Sequence, residues 1–109
     1  MTKILNHFID GKRVEGQSGR MGDVFNPATG DVTAQVPFAS AVEVQAAIAS
    51  SAAALPGWLA TPPARRTQFL FKFRELLINH MDELANLLST EHGKTNEDAI
   101  GELGRGLEV

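Results

Sequence analysis

The sequence predicts a mixed segment: short β-strands first, then three or four α-helices. Three observations carry this reading. Asp10-Gly11 lies between two short runs of alternating character, and Asp-Gly is a strong hairpin signal because a type I′ turn needs positive φ at both central residues. Asn26-Pro27-Ala28-Thr29-Gly30 separates two further alternating runs, with proline presetting φ and glycine supplying a left-handed position. From Ser40 onward the apolar residues recur at three- and four-residue spacing, punctuated by cap signals.

Taken in order, HFIDGKRV (7–14) is a hairpin and GQSGRMG (16–22) a loop. Val24 and Phe25, then Val32, Ala34 and Val36, mark two strands. Pro37 ends the second of these or places it on an edge. Ser40 and Glu43 form an S-x-x-E capping box for an alanine-rich helix running to about Ala54. Leu55-Pro56-Gly57 is expected to break that helix, with Trp58 and Leu59 filling an apolar gap at the bend. Thr61-Pro62-Pro63 reads as the start of a second helix, Thr61 as its cap and proline in its first turn. Phe69, Leu70, Phe73, Leu76 and Leu77 form its apolar stripe, and Phe71 and Ile78 widen it, so this helix asks for cover on more than one side. A restart is expected near Asn79-His80, because Asp82 and Glu83 suit a new first turn. Met81, Leu84, Leu87 and Leu88 continue the core face to Gly93, a helix-ending residue. Thr95 and Asp98 open a last helix whose stripe is Ile100, Leu103 and Leu107.

Composition narrows the function. The 109 residues carry 10 Lys+Arg against 13 Asp+Glu, a net charge of −3. That balance speaks against a dedicated nucleic-acid binder, and Arg65, Arg66, Lys72 and Arg74 read as the solvated face of the second helix. No apolar run is long enough to span a membrane, and the N-terminus lacks the pattern of a signal peptide. Without cysteine there is no disulfide, no thiolate zinc site and no cysteine nucleophile within these residues. These features are those of a cytosolic or organellar protein. No helix stop follows GRGLEV, so Val109 is expected to be a truncation point within a helix.

Two nucleotide-like motifs fail on inspection. HGKT (92–95) contains the end of a phosphate-binding loop, but Leu88 stands where that loop needs glycine. GELGRG (101–106) reverses the glycine order of the dinucleotide fingerprint and follows helix caps rather than a strand. His7, His80 and His92 lack ligand spacing, and no metal is expected. No Ser/His/Asp set or carboxylate pair is legible, so the catalytic and cofactor-binding assignments within 1–109 are none.

Several pieces, in this order, nevertheless form a pattern: FIDGKRVEG, FNPATGDVTAQVP, an alanine-rich helix ending in GW, PPARRTQFLFKFRELL and EHGKT. With them the chain resembles the N-terminal part of the aldehyde dehydrogenase superfamily over essentially its whole length. Its last stretch, EHGKTNEDAIGELGRGLEV, is most similar to the CoA-acylating methylmalonate-semialdehyde dehydrogenases. The resemblance implies a much longer α/β parent with a Rossmann-type coenzyme domain, a catalytic domain carrying a cysteine and an oligomerisation arm. Residues 1–109 would be the N-terminal, incomplete part of the NAD-binding domain. The implied chemistry is oxidation of an aldehyde through a cysteine thioester with NAD, then acyl transfer to coenzyme A with loss of CO₂, in valine and inositol catabolism. A homo-oligomeric parent is implied, cytoplasmic in a bacterium or in the mitochondrial matrix of a eukaryote. The nucleophile, the NAD contacts and the general base would lie after Val109. The isolated chain is therefore expected to be inactive, to bind no cofactor, and to be marginally stable or self-associating through its wide apolar faces. The alternatives are a non-acylating aldehyde dehydrogenase and a non-enzymatic helical interaction module.

Arg105 is the one candidate site residue. On a helical projection it lies opposite Ile100, Leu103 and Leu107, between Glu102 and Glu108. The plain reading is a surface ion pair worth about 0.2–0.5 kcal/mol. The sharper one uses the implied substrate, an aldehyde bearing a carboxylate. Burying that charge unpaired is costly, and a guanidinium can bind it bidentately. Arg105 falls where members of the superfamily that act on uncharged aldehydes tend to be apolar. Gly104 is expected to admit a neighbouring backbone, and Gly101 to leave room beside the guanidinium.

Overall fold

The computed structural model describes residues 2–109. Among these, five strands precede four helices, in agreement with the fold class read from the sequence. The residues divide into two compact units. One comprises the chain up to Phe25 together with Val32–Thr61, and the other Asn26–Asp31 together with Pro62–Val109.

The first unit holds β1 (Lys3–Ile4), β2 (His7–Ile9), β3 (Lys12–Val14), β4 (Met21–Phe25), β5 (Val32–Pro37) and α1 (Ala41–Ala60). Strands β2 and β3 pair antiparallel with Ile9 opposite Lys12. Between them Asp10 and Gly11 take φ of 53° and 70°, the two positive values the Asp-Gly signal calls for. A separate three-stranded sheet has the order β1-β5-β4. β4 runs antiparallel to β5, and β1 adds parallel on the other side. The strand at Lys3–Ile4 was not legible, because its partner lies some thirty residues away. The expected loop 16–22 also gives up Met21 and Gly22 to β4. Gly22 leaves room for the tip of the Phe38 ring: a Cβ would stand 2.6 Å from it, so a side chain there would make the ring shift. Pro37 closes β5, which is the central strand rather than an edge.

Helix α1 opens with the full capping box. Ser40 Oγ accepts the Glu43 N–H at 3.3 Å, and Glu43 Oε2 accepts the Ser40 N–H at 2.7 Å. The expected break at Leu55-Pro56-Gly57 is not there, since α1 continues with Pro56 inside it to Ala60. Proline removes one N–H donor and crowds the carbonyl four residues back. Here that carbonyl belongs to Ala52, in a run of alanines that favours the helix on the N-terminal side. Trp58 and Leu59 are exposed on this continued helix and fill no bend. Thr61 also corrects the sequence reading. Its N–H donates to the Trp58 carbonyl and its Oγ1 to the Gly57 carbonyl, so it ends α1 instead of capping the next helix.

The second unit contains α2 (Pro63–Asn79), α3 (Met81–His92) and α4 (Asn96–Glu108). Pro63 occupies the first turn of α2, where a missing N–H costs nothing. His80 is at once the last cap of α2 and the first of α3, which places the restart where Asp82 and Glu83 indicate it. Gly93 ends α3 in the left-handed conformation, φ 69°, and donates its N–H to the Ser89 carbonyl at 2.8 Å. Thr95 Oγ1 accepts the Asp98 N–H and starts α4.

Helices α3 and α4 pack together, and one alanine of each, Ala85 and Ala99, is wholly buried. Small side chains at such positions let two helices approach closely. Neither was among the expected core residues. Leu84, Leu88, Leu103 and Leu107 are half-buried, whereas Leu87 and Ile100 are exposed. Apart from these alanines, the buried core residues are Ala34 and Pro37 in β5, and no large side chain among the described residues is fully buried. The broad stripe of α2 stays open, with Phe69 59% and Leu70 65% exposed.

Candidate substrate-binding site

The region around Arg105 is built by the turn from α3 into α4. Gly93 supplies the left-handed residue, Lys94 follows, and Thr95 caps α4 through the Asp98 N–H at 3.2 Å and the Ala99 N–H at 3.1 Å. Buried Ala99 fixes the inward side of α4. Arg105 stands exposed in the last turn, where a cation favourably meets the negative end of the helix dipole.

The expected surface pairing of Arg105 does not form. Among the described residues no carboxylate lies within ion-pair distance of its guanidinium. Glu102 is instead engaged by Lys94, whose Nζ donates to Glu102 Oε2. The Lys94 hydrogen bond, followed by the Lys94 charge, holds the Glu102 carboxyl below its ordinary range, and the Arg105 charge adds less than those of Lys94 and His92. Sequence reasoning missed this Lys94–Glu102 pair. The two are eight residues apart across a turn, a separation that no helical spacing rule flags.

The glycines divide unevenly. A Cβ at Gly101 would lie 4.0 Å from Arg105 Nη1, an ordinary contact, so an alanine there would touch the guanidinium without displacing it. At Gly104 and Gly106 a Cβ would meet nothing within 4 Å. Among the described residues, then, no neighbouring backbone uses the space at Gly104.

Neither glycine motif forms a phosphate cradle. GKT is divided between a helix stop, an ion-paired lysine and a helix cap, and GELGRG lies wholly inside α4. The three histidines are dispersed: His7 on β2, His80 at the α2–α3 junction and His92 in the last turn of α3. No group of metal-ligating side chains occurs among the described residues, and no helix is long and apolar enough to cross a membrane.

A mixed α/β segment with this order of strands, helices and turns defines a class. The sequence profile of the aldehyde dehydrogenase family matches residues 14–109, and the chain belongs to that family. More particularly, it is 48% identical over 95% of its length to the malonate-semialdehyde dehydrogenase of Pseudomonas aeruginosa, covering 21% of that enzyme. Its fold superposes with a TM-score of 0.94 on a Sinorhizobium meliloti protein assigned as a methylmalonate-semialdehyde dehydrogenase and solved with NAD. The two are 54% identical, with 99% of this chain and 22% of that one covered. The methylmalonate-semialdehyde dehydrogenase of Oceanimonas doudoroffii gives a TM-score of 0.92 at 45% identity, again covering 99% of this chain and 22% of that one. The chain thus spans about a fifth of the length of these relatives.

Proposed function

We propose that this chain is the N-terminal part of an NAD-dependent, CoA-acylating dehydrogenase of malonate- or methylmalonate-semialdehyde, and that residues 1–109 belong to its coenzyme domain. The observation that carries the reading is likeness across nearly the whole chain, at 48% and 54% identity, to proteins whose names share one feature of substrate. Both semialdehydes bear a carboxylate close to the reacting carbonyl.

Arg105 reads that carboxylate. Its guanidinium is exposed and, among the described residues, without an ion pair, and a planar donor fork suits a carboxylate. NAD would supply the hydride acceptor and coenzyme A the acyl acceptor. The glycine motifs of this segment do not fit a phosphate group, so no cofactor contact and no reaction step is assigned to residues 1–109. The whole enzyme is proposed to be a homo-oligomer of valine and inositol catabolism, cytoplasmic in a bacterium or mitochondrial in a eukaryote.

The test uses the full-length protein. Methylmalonate semialdehyde with NAD and coenzyme A should yield an acyl-CoA, and omission of coenzyme A should stop product formation. Release of a free acid at full rate without coenzyme A would point to a non-acylating dehydrogenase. Arg105→Leu should raise KM for the carboxylated aldehyde much more than for propanal, and equal effects on the two would remove Arg105 from the site.

A further inference from the structure

Reading a substrate carboxylate requires a guanidinium whose charge is not already neutralised. Helix geometry works against this at Arg105. Glu102 lies three residues before it, a spacing at which opposite charges on a helix face pair with each other. A carboxylate seated on Arg105 from within the chain would compete directly with the carboxylate of a substrate.

In the structure Glu102 is drawn away. Lys94 donates to its Oε2 from the turn preceding α4. Lys94 can reach there because Gly93, at φ 69°, turns the chain out of α3 and Thr95 begins α4 at once. The lysine side chain is also the better held of the two, 26% exposed against 47% for Glu102. Arg105 is left with no carboxylate at ion-pair distance among the described residues.

We propose that Lys94 is a positioning residue for substrate recognition: by occupying Glu102 it keeps Arg105 open to an incoming carboxylate. The inference rests on the reading of Arg105 given above. It makes the pair a specificity device, since an aldehyde without a carboxylate has no use for a free Arg105.

The experiment is a double-variant cycle in the full-length enzyme, read as the preference (ratio of kcat/KM) for the carboxylated aldehyde over propanal. Lys94→Met should reduce that preference about two- to five-fold, the scale of an exposed ion pair, with the loss in KM. Glu102→Gln should change the preference little while Lys94 is present, and should restore it in the Lys94→Met background. Lys94→Arg, which keeps the pairing charge, should retain it. An equal effect of Glu102→Gln in both backgrounds, or a Lys94→Met loss shared by both aldehydes, overturns the proposal. Arg105→Leu, measured alongside, separates the two levels. If it is selective and Lys94→Met is not, this inference alone fails; if it is unselective, the reading of Arg105 fails and takes this inference with it.

Discussion

The Glu43 carboxylate joins two segments 26 residues apart, with Oε1 accepting the Gln17 N–H at 2.7 Å. Its other oxygen caps α1 by accepting the Ser40 N–H, also at 2.7 Å. His7 Nε2 lies 3.9 Å from Oε1. One side chain thus closes a local capping box and ties the loop after the hairpin to the start of α1.

Those contacts give Glu43 a pH signature. The backbone N–H of Ser40, then that of Gln17, hold its carboxyl below the ordinary carboxylate value. Between the folded and unfolded pKa the unfolded chain binds more protons, so stability rises with pH there. The Glu43 contribution is therefore complete above the ordinary carboxylate range and is lost as pH falls through the lowered value. Thermal melts of the wild type and Glu43→Gln should differ at neutral pH and converge in acid. Protection of the Gln17 and Ser40 amides against exchange, taken relative to the intrinsic rate at each pH, should fall over the same interval.

Two left-handed glycines should respond differently to alanine. Gly11 and Gly93 have nearly equal φ, 70° and 69°. A Cβ at Gly11 meets nothing within 4 Å, but at Gly93 it would stand 3.1 Å from Pro27 Cγ. Gly11→Ala should cost about 1–2 kcal/mol from backbone conformation alone, and Gly93→Ala more. Pro27→Ala should recover part of the Gly93→Ala loss and none of the Gly11→Ala loss, measured by denaturant unfolding.

The glycines of α4 test what the rest of an enzyme would add. Since Cβ space at Gly104 is open here, Gly104→Ala should stabilise α4 in the 109-residue chain by up to about 1 kcal/mol, seen as higher helicity by circular dichroism. In the full-length protein the same change should give no gain, if a neighbouring backbone occupies that space.

The open face of α2 predicts association. Phe69, Leu70, Phe71 and Phe73 are each more than half exposed, and exposed apolar side chains in such number favour association. The isolated chain should sediment as concentration-dependent oligomers and melt broadly. Phe73→Glu should shift it towards monomer. A sharp, concentration-independent melt of a monomer would contradict this reading.

How much was legible depended on how local each signal is. The Asp10-Gly11 turn, the Ser40/Glu43 box, the His80 junction, the Gly93 stop and the Thr95 cap are each set by a few neighbouring residues, and each stands where the sequence places it. Pro56 misled because a proline's effect depends on the helix that surrounds it, and Thr61 because one hydroxyl can serve either of two adjoining helices. Arg105 was found as a residue, but that it makes no ion pair among the described residues was not, nor was the pairing of Glu102 with Lys94, which depends on where the turn delivers the lysine.

By itself the sequence determined the order of strands and helices, most of their caps, the wide apolar stripe of α2 and the motifs that point to the aldehyde dehydrogenase family. These rest on backbone conformation and side-chain periodicity within a turn or two of chain. Only the tertiary structure decided that β1 joins β5 in parallel, that Ala85 and Ala99 are the buried residues of α3 and α4, and that Glu102 belongs to Lys94 instead of Arg105. Each of those brings together residues from separate elements, and such pairings follow from how the chain turns and packs in space, which no local spacing encodes.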